Sequence, residues 1–163
     1  MVFVLLSIIV TFLYGTFAGW LIHWSIHQRW AGRFYRSHMT HHVKLYPQSD
    51  LLSDTYRNPG KDNTTFIFTP LLVVSFLLLE GVLRHFGASI ALLCILTVEG
   101  LIVGILHDYM HTLFHLRKTF LNRYQWFLRL RELHFIHHKH MQRNLGIFWF
   151  GWDHVMGSYE KRP

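Results

Sequence analysis

Residues 86–111 read FGASIALLCILTVEGLIVGILHDYMH, an apolar run that passes without a break into His107-Asp-Tyr-Met-His111. As a helix, residues 86–106 can cross a bilayer, because about 20 apolar residues rising about 1.5 Å each match a hydrocarbon core about 30 Å thick. The two histidines are four apart where the span ends, so they share a helix face and can chelate one ion. A membrane helix that delivers a chelating pair to the bilayer surface sets the depth at which the rest of the chain must meet it.

Working outward, residues 64–83 form a second apolar run, separated from the first by little more than Arg84 and His85, so the two predict a tight transmembrane hairpin. Residues 1–22 form a third, roughly 33 Å long as a helix. Thr16-Phe17-Ala18 is a passable cleavage pattern, but no basic residue precedes Arg29, so this segment reads as a retained anchor rather than a signal peptide. Six Lys and Arg fall in residues 23–63, nine from His107 onward and one, Arg84, in the hairpin turn. Basic loops stay inside, which turns the first residues outward and places residues 23–63 and 107–163 together in the cytosol. Residues 120–141 are amphipathic and predict an interfacial helix with Trp126, Phe127, Leu128 and Leu130 toward lipid or protein. Arg123, Arg129, Arg131 and Glu132 argue against a fourth span.

The chain of 163 residues is 51% hydrophobic yet carries a net charge of +7, with apolar and basic blocks kept apart. It predicts an all-α integral membrane fold of about three transmembrane helices plus interfacial helices, organised as a single domain over residues 1–163 with no room for a reductase module. No nucleic-acid motif accompanies the basic charge. Cys94 is the lone cysteine, which excludes an internal disulfide and a thiolate metal site, so any metal must take nitrogen or oxygen ligands. The basic loops, with no organelle signal, fit a bacterial inner membrane or an endoplasmic-reticulum-like one, and the short chain favours the former.

Ten of the fourteen histidines fall in four groups on the expected cytosolic side: His23-Trp-Ser-Ile-His27, His38-Met-Thr-His41-His42, His107-Asp-Tyr-Met-His111 and His134-Phe-Ile-His137-His138. A single HxxxH is as readily a polar helix end, but four groups at one depth read as a shared site. Ten imidazoles are too many for one ion and suit two, each with about five nitrogens and a position left for oxygen or substrate. Imidazole accepts zinc, copper, nickel and iron alike. The Glu of a zinc HExxH motif is missing, so redox chemistry explains the pattern better than hydrolysis.

These four boxes in this order, with Leu45-Tyr46-Pro47, Asp54-Thr55-Tyr56-Arg57, Asn144-Leu145-Gly146 and Trp152-Asp153-His154-Val155-Met156-Gly157-Ser158-Tyr159, resemble the fatty acid hydroxylase and sterol desaturase superfamily over nearly the whole chain. The resemblance implies that His23, His27, His38, His41, His42, His107, His111, His134, His137 and His138 ligate two non-haem irons. It further implies that the site uses O2 and outside electrons to hydroxylate or desaturate an alkyl C–H bond of a lipid. Family members often carry Arg where His154 stands. The related carotenoid ring hydroxylases usually have one more residue between the histidines of the first and third boxes, which favours the acyl-lipid or sterol branches. With no dinucleotide fingerprint or haem motif, electrons should come from a separate protein, a ferredoxin or a b-type cytochrome. The rival from another class is a histidine-rich membrane metal transporter or metal-binding protein, whose pathway needs polar ligands near mid-membrane. A membrane b-type haem protein would place its histidines within the spans.

Several single residues carry expectations of their own. His115 continues the ladder from His107 and His111, so it is a candidate extra ligand or partner of a ligand, but it reads rather as a helix-end residue and is left out of the ligand set; His85 reads as a solvated turn residue. His140 and His154 are adjacent to the chemistry in sequence. Asp108 and Asp153 are candidate acceptors for a ligand histidine's second ring N–H, or solvated acids. Glu99 lies mid-span and either lines an approach to the metals or bonds a neighbouring helix. Glu80 has no assigned role. Gly100 and Gly104 predict close helix packing.

Overall fold

The computed structural model describes residues 2–57 and 67–161. In chain order its helices are α1 (Val2–Ile26), α2 (Arg33–Thr40), α3 (Phe68–His85), α4 (Ile90–Phe114), α5 (Gln125–Lys139) and α6 (Gly151–Val155). Among the described residues there is no strand, and an isolated bridge pairs Ser53 with Leu116. α1, α3 and α4 are each long and apolar enough to cross a membrane. Leu6, Ile9, Leu78, Val82, Val98 and Ile102 on these helices are all more than half exposed, the reverse of a water-facing surface and what contact with lipid requires.

Small residues and a few hydroxyls set how the three helices meet. α1 and α4 run parallel in a constant register. Thr11 donates to Glu99 at 2.6 Å across an interval of 88 residues, and the next turns pair Gly15 with Val103 and Gly19 with His107. Continued by one turn, the same interval brings His23 level with His111. On the other face of α4, Gly100 lies under the Phe76 ring and Gly104 against the Thr69 backbone of α3, so both glycines serve close packing. Glu99 accepts from Ser7 and Thr11, and Glu80 accepts from Thr97, so both mid-span acids bond a neighbouring helix.

The helix ends depart from the apolar runs for physical reasons. α1 continues past residue 22 and α4 past residue 106, because their polar last turns are buried by protein and so need not end where lipid ends. The second expected span begins at residues 64–66, which lie outside the described residues; α3 starts at Phe68. Residues 120–141 are not one helix. A 3-10 turn (Phe120–Arg123), capped by the Thr119 hydroxyl, is followed by extended Tyr124, and α5 begins only at Gln125. Phe127 is fully buried against Met110, Leu113, Phe114, Leu121 and Ile147, while Trp126 faces outward. After α2 the helix widens into a π-type turn (His41–Leu45), a local change of pitch that recurs at functional sites.

Asp108 does not touch a histidine. Its carboxylate accepts the Phe68 and Thr69 N–H groups at 3.0 and 2.7 Å and the Thr69 hydroxyl at 2.5 Å, so α4 supplies the cap for the first turn of α3. Asp108→Ala is therefore expected to destabilise the protein by about 2 kcal/mol, the scale of lost bonds to a charged group, without lowering the number of metal ions bound. Thermal unfolding and metal content of the same detergent-purified sample test both halves.

Candidate metal centre

One end of the three long helices and the short elements packed there gather the histidines into two adjacent clusters. His23, His27, His38, His42 and His137 form the first, and His41, His115, His134 and His138 the second. All nine rings are buried. His111 lies beside the second cluster, with ring centroids 4.6 Å from His41 and 4.9 Å from His134. The clusters touch through His42 and His138, whose centroids are 4.1 Å apart.

Helical geometry explains how the boxes divide. In each HxxHH box the pair four residues apart goes to one cluster and the third histidine to the other. His38 and His42 join the first and His41 the second, whereas His134 and His138 join the second and His137 the first. His23 and His27 add a pair of the same spacing to the first cluster. The matching pair beside the second is His111 with His115, one turn beyond the expected pairing of His107 with His111.

His107 stands apart from both clusters. Its Nδ1–H donates to the Val103 carbonyl at 3.0 Å, its Nε2 lies against Gly19 of α1, and Phe68 and Phe148 flank its ring. His115, by contrast, places Nε2 3.0 Å from Nε2 of His134. The signal for it in the sequence is the ladder His107, His111, His115, which offers two chelating pairs. His85 is exposed, His140 pairs with Glu160 at the surface and His154 stacks on Tyr159.

Proton counting tests whether these rings fit a metal. His23 and His137 donate Nδ1–H to the carbonyls of Leu145 (2.7 Å) and Arg143 (2.8 Å), so in the neutral ring Nε2 carries only a lone pair. In the first cluster the Nε2 atoms of His23, His27 and His42 lie 3.0–3.1 Å from that of His38, and those of His27 and His42 lie 3.1–3.2 Å from that of His137. Five contacts thus compete for at most three ring protons, and at least two set lone pair against lone pair. A cation removes the conflict: nitrogens about 2.1 Å from one ion at right angles lie about 3.0 Å apart. In the second cluster, His115 and His138 likewise donate Nδ1–H to Leu51 and Tyr46 carbonyls. Nε2 of His41, His111 and His138 is buried with no hydrogen-bond partner among the described residues. The residues present fit two metal ions.

The surrounding motifs supply the carbonyls. Tyr46 is fully buried, stacks on His115 at 4.0 Å, and receives the Arg57 N–H on its hydroxyl. Arg57 also donates to the Leu45 carbonyl and pairs with Asp50, which holds the loop after the second box in place. Ser53 N–H donates to the His115 carbonyl, pinning the same loop to the end of α4. Asn144 takes a left-handed backbone (φ 51°), which asparagine tolerates, and its side chain bridges Leu133 and Glu160. Asp153 accepts from Leu145 and Gly146 N–H groups and does not bond a histidine directly.

The sequence profile of the fatty acid hydroxylase family matches residues 8–158. No curated protein and no solved structure matches the chain.

Burial, then repulsion from neighbouring rings, lowers the pKa of the histidines outside the spans. His27 falls to about 2, and His38, His41, His42, His134, His137 and His138 fall well below 6.5, as does His115. All are neutral at pH 7, with lone pairs free for a metal. Because the unfolded rings bind protons near 6.5 and the folded ones do not, stability is full above that value and is lost as pH falls below it. Thermal unfolding of the metal-free protein between about pH 8 and about pH 5 is expected to show a plateau followed by a steep fall, and metal-loaded protein is expected to release its metal over the same acid range. A profile flat across this range would contradict the neutral-imidazole assignment.

Proposed function

The chain belongs to the fatty acid hydroxylase family, and from that premise we propose that it is a membrane oxygenase which holds two irons and hydroxylates or desaturates an alkyl C–H bond of a lipid. The observation that carries this reading is the pair of adjacent, buried, neutral imidazole clusters whose lone pairs converge. His23, His27, His38, His42 and His137 would hold one ion, and His41, His111, His115, His134 and His138 would hold the other. Irons bound there supply dioxygen activation and hydrogen removal from an unactivated carbon. Five nitrogens at each ion leave a position open.

The chain's own residues do the rest. Backbone carbonyls fix the tautomers of His23, His115, His137 and His138, so that Nε2 is presented as a lone pair. Phe68, Phe114 and Tyr46, all buried, wall the clusters with aromatic surface and keep water from the reacting carbon. His107 in this reading packs α4 onto Gly19 and is not a ligand. The lipid enters sideways from the bilayer, and a ferredoxin or b-type cytochrome delivers electrons at the cytosolic face. Exposed Arg29, Arg33, Arg36, Lys44 and Lys139 suit an acidic donor and anionic headgroups alike. A metal transporter would need free ligands along the spans, whereas Glu99 and Glu80 are engaged by hydroxyls.

Detergent-purified protein loaded anaerobically with ferrous iron is expected to hold about two irons per chain and, given a reductant and O2, to add one oxygen to host lipids or remove two hydrogens. His115→Ala should abolish the oxidation and lower the iron content, while His107→Gln should retain both irons. Tight metal binding with no oxidised lipid would turn the assignment toward metal handling. Full iron binding by His115→Ala, with loss in His107→Gln, would restore His107 to the ligand set.

A further inference from the structure

We infer that Asp153 is a positioning residue for the ion of the His23 cluster, acting on it through one peptide group. The inference rests on the two-metal reading above. Asp153 is fully buried, and the four groups donating to its carboxylate carry no charge. Oδ1 accepts Leu145 N–H at 2.7 Å, the Ser158 hydroxyl at 2.6 Å and the Trp20 indole N–H at 3.2 Å, and Oδ2 accepts Gly146 N–H at 2.9 Å. An anion held in the interior by neutral donors alone is costly, which points to a role for its charge.

The charge sits on the peptide joining Leu145 to Gly146. The N–H of that peptide donates to Asp153, and its carbonyl accepts Nδ1–H of His23 at 2.7 Å. An amide polarised by an anion at its N–H end carries more negative charge on its oxygen and accepts more strongly, as linked hydrogen bonds reinforce one another. His23 is thereby held in one tautomer and made a stronger donor at Nε2. This is the carboxylate-to-histidine support common at metal sites, here relayed by a peptide.

The ring-to-carbonyl bonds of His137 and His138 lack this backing. The peptide after Arg143, which holds His137, donates its N–H to the neutral Ser158 carbonyl at 3.0 Å. The peptide after Tyr46, which holds His138, belongs to Pro47 and has no N–H to donate. The His23 bond, at 2.7 Å, is also shorter than those of His137, His138 and His115, at 2.8, 3.0 and 3.0 Å. The two ions are therefore unequal, with the one at His23 held by the more electron-rich ring.

The test uses the full chain in detergent, titrated with Co2+ against a competing chelator and followed by metal content and cobalt absorption. Wild type should fill two sites. Asp153→Asn, which keeps the shape and removes the charge, should weaken one site about 10–100-fold, change the absorption of that site alone and leave the second within about 3-fold. A packing role would instead weaken both sites together or neither, and either result overturns the relay. Ser158→Ala supplies the opposite sign and serves if Asp153→Asn does not fold. It takes a neutral donor off Oδ1 and leaves more charge on the carboxylate, so affinity at the His23 site should hold or rise, and a loss of about 10-fold overturns the relay. A wild type that binds no Co2+ overturns the two-metal reading as well, whereas unchanged binding by Asp153→Asn overturns the relay alone.

Discussion

A nitrogen lone pair in a dry interior must be met by a proton or a cation, and the inner end of this protein is arranged around that requirement. Burial and mutual repulsion keep the rings neutral, while carbonyls of Leu145, Arg143, Tyr46 and Leu51 hold the proton of four of them on Nδ1. What remains is a set of inward lone pairs at 3.0–3.2 Å, too close for unscreened nitrogens and suited to ligands on adjacent corners of one ion's coordination sphere. Without an ion the interior carries repelling groups, so any metal bound there would stabilise the fold.

The three long helices are the frame that makes this arrangement possible. The parallel register of α1 and α4, fixed by Ser7 and Thr11 on Glu99 and by the close approach at Gly15 and Gly19, sets His23 and His111 at one depth. Asp108 ties the start of α3 to α4 just where the histidine ladder begins. Polar groups inside the apolar region are thus spent on helix contacts, and the histidines are left for the end of the bundle. Short polar elements close the site from the other side, with α5 bringing three ligand candidates and the segment from Arg143 to Gly146 bringing two of the carbonyls.

The two clusters resemble one another in ligand spacing but differ in what stands behind the ligands. The first takes two pairs of histidines four apart and His137; the second takes the pair His134 and His138 with His41 and His115, and His111 lies beside it. Behind His23 stands a peptide tied to a carboxylate; behind His138 stands the carbonyl before Pro47, whose nitrogen can donate nothing. Unequal backing of two neighbouring histidine clusters would give ions held there different affinities.

Sequence alone determined the spans and the histidine boxes, because both rest on local periodicity. An apolar run of sufficient length must bury its backbone polar groups in a helix within lipid, and histidines three and four apart must share a face. Local periodicity is blind to choices between equivalent repeats. His107, His111 and His115 present two identical pairs, and it is tertiary packing that sets His107 against Gly19 and brings His115 among His41, His134 and His138. It is equally blind to contacts across the chain: Asp108 as a cap for α3 and Asp153 on the peptide behind His23 are set by groups 39 and 7 residues away. Nor could it place the break at Tyr124, where a continuous amphipathic pattern yields so that Phe127 can enter the core. The helices follow from the chain's own pattern; which histidines gather in which cluster was decided by how the helices pack.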